Sequence, residues 1–154
     1  MAPEVIGDLD GRSLRIAVIV SRFNNEYTER LLKGALKAFG ETGVQEGDID
    51  VVRVPGAFEL PLLAQRCADS GNYSVVLCLG VVIRSDTPHF DFVAGETARG
   101  IMRTGLETGV PVIFGVLTLD NEDQARVRTR PDDTNRGYQA ALGGIEMATL
   151  LAAL

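Results

Sequence analysis

No tryptophan, one histidine, two cysteines and two lysines occur among the 154 residues of this chain. Each scarcity removes a class of chemistry. With a single histidine and no Cys-x-x-Cys pair, the usual ligand sets for zinc are missing, and no metal site is expected. Cys67 and Cys78 fall in an apolar helical pattern and an apolar strand pattern, so they read as buried free thiols of a reducing compartment. Lys33 and Lys37 lie four apart on the polar side of a helical pattern, which argues against an enzyme lysine forming a Schiff base with a carbonyl substrate. No apolar run approaches the roughly 20 residues of a membrane span. The first residues, MAPEVIGDLDGRS, lack both the basic region and the apolar core of a secretion signal, so a cytoplasmic location is expected. A net charge of −6 argues against a nucleic-acid-binding surface. The phosphate loop GxxxxGK[ST], the dinucleotide fingerprint GxGxxG and the nucleophile elbow GxSxG are all absent.

What is present is core-forming material, 45% hydrophobic against 23% charged, in a length that suggests one domain, residues 1–154. Four short apolar runs at Arg15–Val20, Asp50–Val54, Ser74–Leu79 and Val112–Leu117 read as buried parallel strands. Helical patterns separate them at Asn25–Phe39, about 59–69 and Pro88–Glu107. In the second, Leu60, Leu63, Ala64 and Cys67 share a face; in the third, Phe90, Val93, Ala94, Thr97, Ile101 and Leu106 do so roughly. Two further helices, about 120–129 and 137–152, close the chain. This alternation predicts an α/β fold, a three-layer α/β/α sandwich on a four-stranded parallel sheet. Residues 1–13 form an arm in which Ile6 and Leu9 are candidates to pair as an edge strand, on this chain or a neighbouring subunit.

The thirteen arginines suit recognition of phosphate and carboxylate. The one histidine, His89, follows Thr87 and Pro88, as residues at a helix start do. It thus sits just past a strand end, where α/β sheets bind ligands and where unpaired backbone N–H groups can hold a phosphate. A lone histidine is more often a surface or packing residue, but the other strand ends are unusual in the same way. After the first strand, Phe23 lies where the chain turns outward, as a lid on the helix below or as a stacking platform for a flat ligand. After the second, Pro55-Gly56 signals a turn, and Glu59 is either a hydroxyl acceptor or a helix-start charge. Phe114, taken alone, reads as core. These residues point to a cofactor-independent enzyme for a small flat polar molecule and a phosphate, without reaching the reaction.

The segments RFN (22–24), VPGAFELP (54–61), LGVVIRSDTPHFDFV (79–93), GVPVIFGVLTLDN (109–121) and GGIEMATLL (143–151) resemble, in order and at ungapped spacing, the 6,7-dimethyl-8-ribityllumazine synthase family. The resemblance implies a flavodoxin-like topology and a transferase of riboflavin biosynthesis that needs no cofactor. It would condense 5-amino-6-(D-ribitylamino)uracil with 3,4-dihydroxy-2-butanone 4-phosphate, releasing phosphate and water. It also implies that Phe23 stacks on the pyrimidine, and that Ala57, Phe58, Glu59, Val81, Val82 and Ile83 hold the ring and ribityl chain. Asp86, Thr87 and Arg128 would bind the butanone phosphate, His89 would transfer protons, and Phe114 would reach in from an adjacent subunit. Pentamers or sixty-subunit icosahedral shells with sites at subunit interfaces are implied as well, as is association with riboflavin synthase.

One stretch departs from the family pattern. Where members commonly carry Arg-Ala-Gly, a basic residue and Gly-Asn-Lys-Gly, this chain reads Arg128-Thr129-Arg130-Pro131-Asp132-Asp133-Thr134-Asn135-Arg136-Gly137. The glycines give way to two aspartates, and Arg126 or Arg130 competes with Arg128 for the phosphate role. The same loop motivates a second reading, a non-catalytic homologue that binds flavin or lumazine or forms a shell.

Overall fold

A computed structural model describes residues 1–154. Four strands, β1 (Ile16–Ser21), β2 (Ile49–Val54), β3 (Val75–Ile83) and β4 (Val112–Leu119), form one all-parallel sheet in the order β2-β1-β3-β4. The helices are α1 (Asn25–Glu41), α2 (Leu60–Asp69), α3 (His89–Thr108), α4 (Glu122–Arg128) and α5 (Arg136–Ala153). This is the three-layer α/β/α arrangement that the alternating pattern predicts, with the flavodoxin-like topology that the resemblance implies.

The layers follow from the period-2 alternation of side chains along each strand. Ile16, Val18 and Val20 of β1 face α1 and α5, in a core shared with Leu31, Phe39, Leu77 and Ile145. Ala17 and Ile19 face the other way, into a core with Leu60, Ala64, Val76 and Ile101 from α2, β3 and α3. Both faces of the central strands are covered, so β1 is buried along its whole length. Cys67 and Cys78 are buried free thiols, as their apolar surroundings in the sequence suggest.

Three expectations need correction. The third strand does not stop at Leu79; it runs on to Ile83, because Gly80 to Ile83 pair with Val116 to Leu119 of β4. Gly80 is there for close approach: a Cβ at this position would lie 3.1 Å from Leu60 Cδ1 and 3.2 Å from Ser21 Oγ. Leu106 is not on the inner face of α3; it is 78% exposed, and Thr104 takes the buried place in that last turn. Phe114 is not core. It lies on β4, the edge of the sheet, and is 44% exposed.

Residues 1–13 add no strand to the chain's own sheet. Gly7 and Asp8 lie against α5, where the Asp8 N–H donates to Thr149 Oγ1 (2.8 Å), while the Gly11 N–H donates to the Thr42 carbonyl (2.7 Å) past the end of α1; Ile6 and Leu9 are exposed.

The strand order matters for function. From β1 the chain crosses to β2 on one side and then to β3 on the other. The crossover connections therefore diverge beyond the carboxyl ends of β1 and β3, leaving a crevice at that end of the sheet.

Candidate active site

The crevice is built from the ends of three strands, β1, β2 and β3. The β1–α1 turn is pinned beside β2 by two backbone hydrogen bonds, from Arg22 N to the Val54 carbonyl (2.8 Å) and from Phe23 N to the Pro55 carbonyl (3.0 Å). Asn24 adopts the left-handed conformation (φ 60°) that Asn tolerates better than most residues. Its side-chain Nδ2 donates to the Val81 carbonyl on β3 (2.8 Å). That bond ties the turn across to the strand beyond it and leaves Phe23 standing out, 72% exposed.

Past β2, Ala57–Glu59 form a single 3-10 turn leading into α2. Ala57 is buried, and its carbonyl accepts from Thr97 Oγ1 of α3 (3.2 Å), which locks the turn onto the neighbouring helix. Glu59 Oε2 accepts from the Gly56 N–H (3.0 Å). One carboxylate oxygen of Glu59 thus caps the turn, in keeping with its reading as a helix-start charge.

Past β3, Arg84 is held by three groups. Its guanidinium pairs with Asp120 (3.2 Å) and Asp91 (3.4 Å) and lies 4.2 Å from the centroid of the Phe90 ring. This fixes the loop that carries Ser85, Asp86 and Thr87. Thr87 Oγ1 accepts from the His89 N–H (3.4 Å), and His89 is the first residue of α3, exposed.

A cavity of about 80 Å³ at this end of the sheet is lined by Phe23, Ala57, Val81, Val82, Ile83 and His89. Six of the residues singled out from sequence therefore come together. Asn24, Ser85, Phe90 and Val93 complete the lining and were missed. Asn24 left a signal, an Asn at a strand-to-helix turn, which is a common place for a left-handed residue. Phe58, Glu59, Asp86 and Thr87 stand on the adjoining turns outside the lining, Phe58 well exposed.

Phe114 and Arg128 lie elsewhere. They share a separate hollow of about 460 Å³ with Leu117, Arg136 and Gln139, between β4, α4 and the start of α5. Arg128 is half-buried, and its guanidinium donates to the Gln124 carbonyl (3.3 Å), which leaves most of its donors free. Arg126 and Arg130, its competitors for a phosphate role, line a different cavity against α1. Asp132 lines that cavity too, and Asp133 pairs with Lys37 (3.8 Å), so neither aspartate faces the Arg128 hollow. His89 does not line this hollow, and neither Phe114 nor Arg128 lines the one that His89 does. Residues singled out from sequence are thus divided between two separate hollows of one chain.

Residues 13–152 match the family model for 6,7-dimethyl-8-ribityllumazine synthase. The match takes in every strand and helix except the last residue of α5, and the chain belongs to the 6,7-dimethyl-8-ribityllumazine synthase family.

Proposed function

We propose that the protein condenses 5-amino-6-(D-ribitylamino)uracil with 3,4-dihydroxy-2-butanone 4-phosphate to 6,7-dimethyl-8-ribityllumazine, at a site made by two copies of the chain. Family membership supports a transferase of riboflavin biosynthesis in general. The observation that carries the specific reading is the division of the site residues between two hollows. Phe23, Ala57, Val81–Ile83 and His89 surround one; Phe114 and Arg128 surround the other. A neighbouring copy that sets its Phe114–Arg128 hollow against the first would supply a second face of aromatic contact and an arginine, where the first is lined by Phe23 and Phe90 but by no arginine or lysine. Isologous or cyclic contacts of this kind are the ordinary way in which homo-oligomers share sites.

In this reading Phe23 stacks on the pyrimidine, and backbone groups of Ala57 and Val81–Ile83 hold its amides and the ribityl chain. The second Glu59 oxygen accepts from ribityl hydroxyls, with Phe58 alongside. The start of α3 offers unpaired backbone N–H groups around Asp86 and Thr87 to the butanone phosphate, and Arg128 of the second copy neutralises it. The amine of the uracil attacks the ketone, and water leaves as the imine forms. Loss of phosphate then follows proton removal, and ring closure expels a second water. Atoms balance with one phosphate and two waters released per lumazine. His89 transfers the protons of these steps. The chemistry asks for proximity, charge neutralisation and a proton shuttle, which the surrounding side chains supply without an enzyme lysine.

The test is a steady-state assay with both substrates, following lumazine absorbance and phosphate release together. Equal amounts of both, above the uncatalysed rate, support the reading. Pyrimidine binding by folded protein without acceleration would move the assignment to a flavin- or lumazine-binding or shell-forming homologue.

A further inference from the structure

The loop at 129–135 builds a cavity of about 510 Å³ that the proposed reaction does not use. Its walls are two. One is the exposed face of α1, with Arg30, Lys33 and Lys37; the other is the end of α4 and the loop, with Arg126 and Arg130. Five cations, including both lysines of the chain, thus converge in a protein whose net charge is −6. One carboxylate, Asp132, is among the lining groups.

The floor is polar and already satisfied. Asn135 is buried, donates from Nδ2 to the Arg30 carbonyl (3.2 Å) and accepts at Oδ1 from Gly137 N (2.8 Å) and Tyr138 N (3.1 Å). Thr129 is buried, and its hydroxyl donates to the Ala125 carbonyl (2.8 Å). The rim is different. Arg30 is paired with Glu26, Arg126 with Asp123, and Lys37 with Glu41 and Asp133. Lys33 and Arg130 form no ion pair, and they stand on opposite walls. The Thr134 hydroxyl and N–H hold the Asp132 carboxyl below its usual range, and Arg130 and Lys37 add to this, as expected of groups facing one space.

We propose that this cavity is a second anion site, separate from the Arg128 hollow, and that it takes a compact polyanion with at least two linked phosphates. The spread of charge selects that class. Lys33 and Lys37 are one helical turn apart, about 6 Å along α1, and Arg130 faces them across the gap. A single phosphate reaches one wall, whereas linked phosphates reach both and use the two unpaired cations. Arg126 and Arg130 turn toward this cavity while Arg128, between them, turns toward β4. The two hollows therefore use alternate arginines of one segment and share no lining residue.

The test is calorimetric titration of the full-length protein with inorganic tripolyphosphate, beside ATP and inorganic phosphate, at low and at moderate salt. The expected result is saturable binding of tripolyphosphate, one per chain, weakened by salt and weakened about tenfold or more by Lys33→Gln combined with Arg130→Gln. Neither residue has a side-chain partner to lose, so the variant keeps its fold. Inorganic phosphate binds much more weakly, and Arg128→Ala leaves tripolyphosphate binding unchanged. ATP binding as tightly as tripolyphosphate supports a site for the phosphate chain of a nucleotide; tripolyphosphate alone binding supports inorganic polyphosphate. The proposal is overturned by the absence of saturable binding at low salt, by a double variant that binds as well as the parent, by phosphate matching tripolyphosphate, or by loss of binding in Arg128→Ala.

Discussion

Replacing Gly34 by alanine should reverse its sign of effect according to what stands at position 135. Gly34 is in the middle of α1, where alanine is normally favoured over glycine by about 1 kcal/mol. Here a Cβ would come 2.3 Å from Asn135 Oδ1 and 2.6 Å from its Cγ. The Asn135 side chain cannot retreat cheaply, because it caps α5 through Gly137 N and Tyr138 N and binds the Arg30 carbonyl. Losing the cap costs about 1 kcal/mol, and losing the bond to Arg30 costs about another 1. Asn135→Ala should therefore destabilise by about 2 kcal/mol. At about 2–4 °C per kcal/mol for a chain of this size, Tm should fall by about 4–8 °C. Gly34→Ala alone should destabilise by roughly 1 kcal/mol, the loss of the cap and of the Arg30 bond (about 2 kcal/mol together) less the gain in helix propensity (about 1). In the Asn135→Ala background the obstacle is gone, and the same change should stabilise by about 1 kcal/mol. Thermal unfolding of the four proteins at one concentration measures the cycle. A parent protein stabilised by Gly34→Ala, or effects that simply add, would refute the claim that Asn135 is wedged between α1 and α5.

Gly137→Ala should destabilise strongly, by about 3 kcal/mol or more in urea unfolding, because its Cβ would sit 2.1 Å from the Leu31 carbonyl oxygen. His89→Ala should slow turnover about 10²–10⁴-fold while pyrimidine binding, measured by fluorescence, survives. Arg128→Ala should raise KM for the butanone phosphate, whereas Arg130→Ala should not. The hydrogen bond to Glu41, together with burial, pushes Tyr138 up to about 12. Its folded-state pKa exceeds the ordinary value near 10, so its contribution is complete below pH 10 and is lost as pH rises through about 12. Tyr138→Phe should flatten that part of the stability–pH curve. Burial also raises the Cys78 thiol well above its ordinary value, so thiol reagents at neutral pH should label it only after unfolding.

The layers and the helices were legible in the sequence because burial on both sheet faces writes unbroken apolar runs, and burial on one helix face writes a 3.6-residue period. His89 was legible because Thr87 and Pro88 mark a helix start on any backbone. The end of β3 was not, since Gly80 reads as a stop unless one knows that Leu60 and Ser21 crowd it. Leu106 and Phe114 were misjudged for one reason. Apolarity states that a side chain avoids water, and leaves open whether its own core or a second chain covers it. Met102, Leu106, Phe114, Met147 and Leu151 are all exposed along the α3–β4–α5 side, as an uncovered subunit face would be. Asn24 was overlooked because its part in the site is conformational: a positive φ and a bond to Val81 O, neither of which composition reveals. The competition among Arg126, Arg128 and Arg130 was open in the sequence, because alternate residues differ only in the side of the segment they face.

The central claim is that a working site joins the His89 side of one copy to the Arg128 side of another. It is tested most directly by unfolding His89→Ala and Arg128→Ala proteins together, refolding the equal mixture, and assaying lumazine formation. At butanone phosphate well below the raised KM of Arg128→Ala, each variant alone should be nearly inactive. If the two residues come from different copies, random co-assembly leaves about a quarter of the sites with both residues intact. The mixture should then recover about a quarter of the parent activity. A mixture no more active than the variants refolded separately would mean that His89 and Arg128 serve a site within one chain, and would contradict the account.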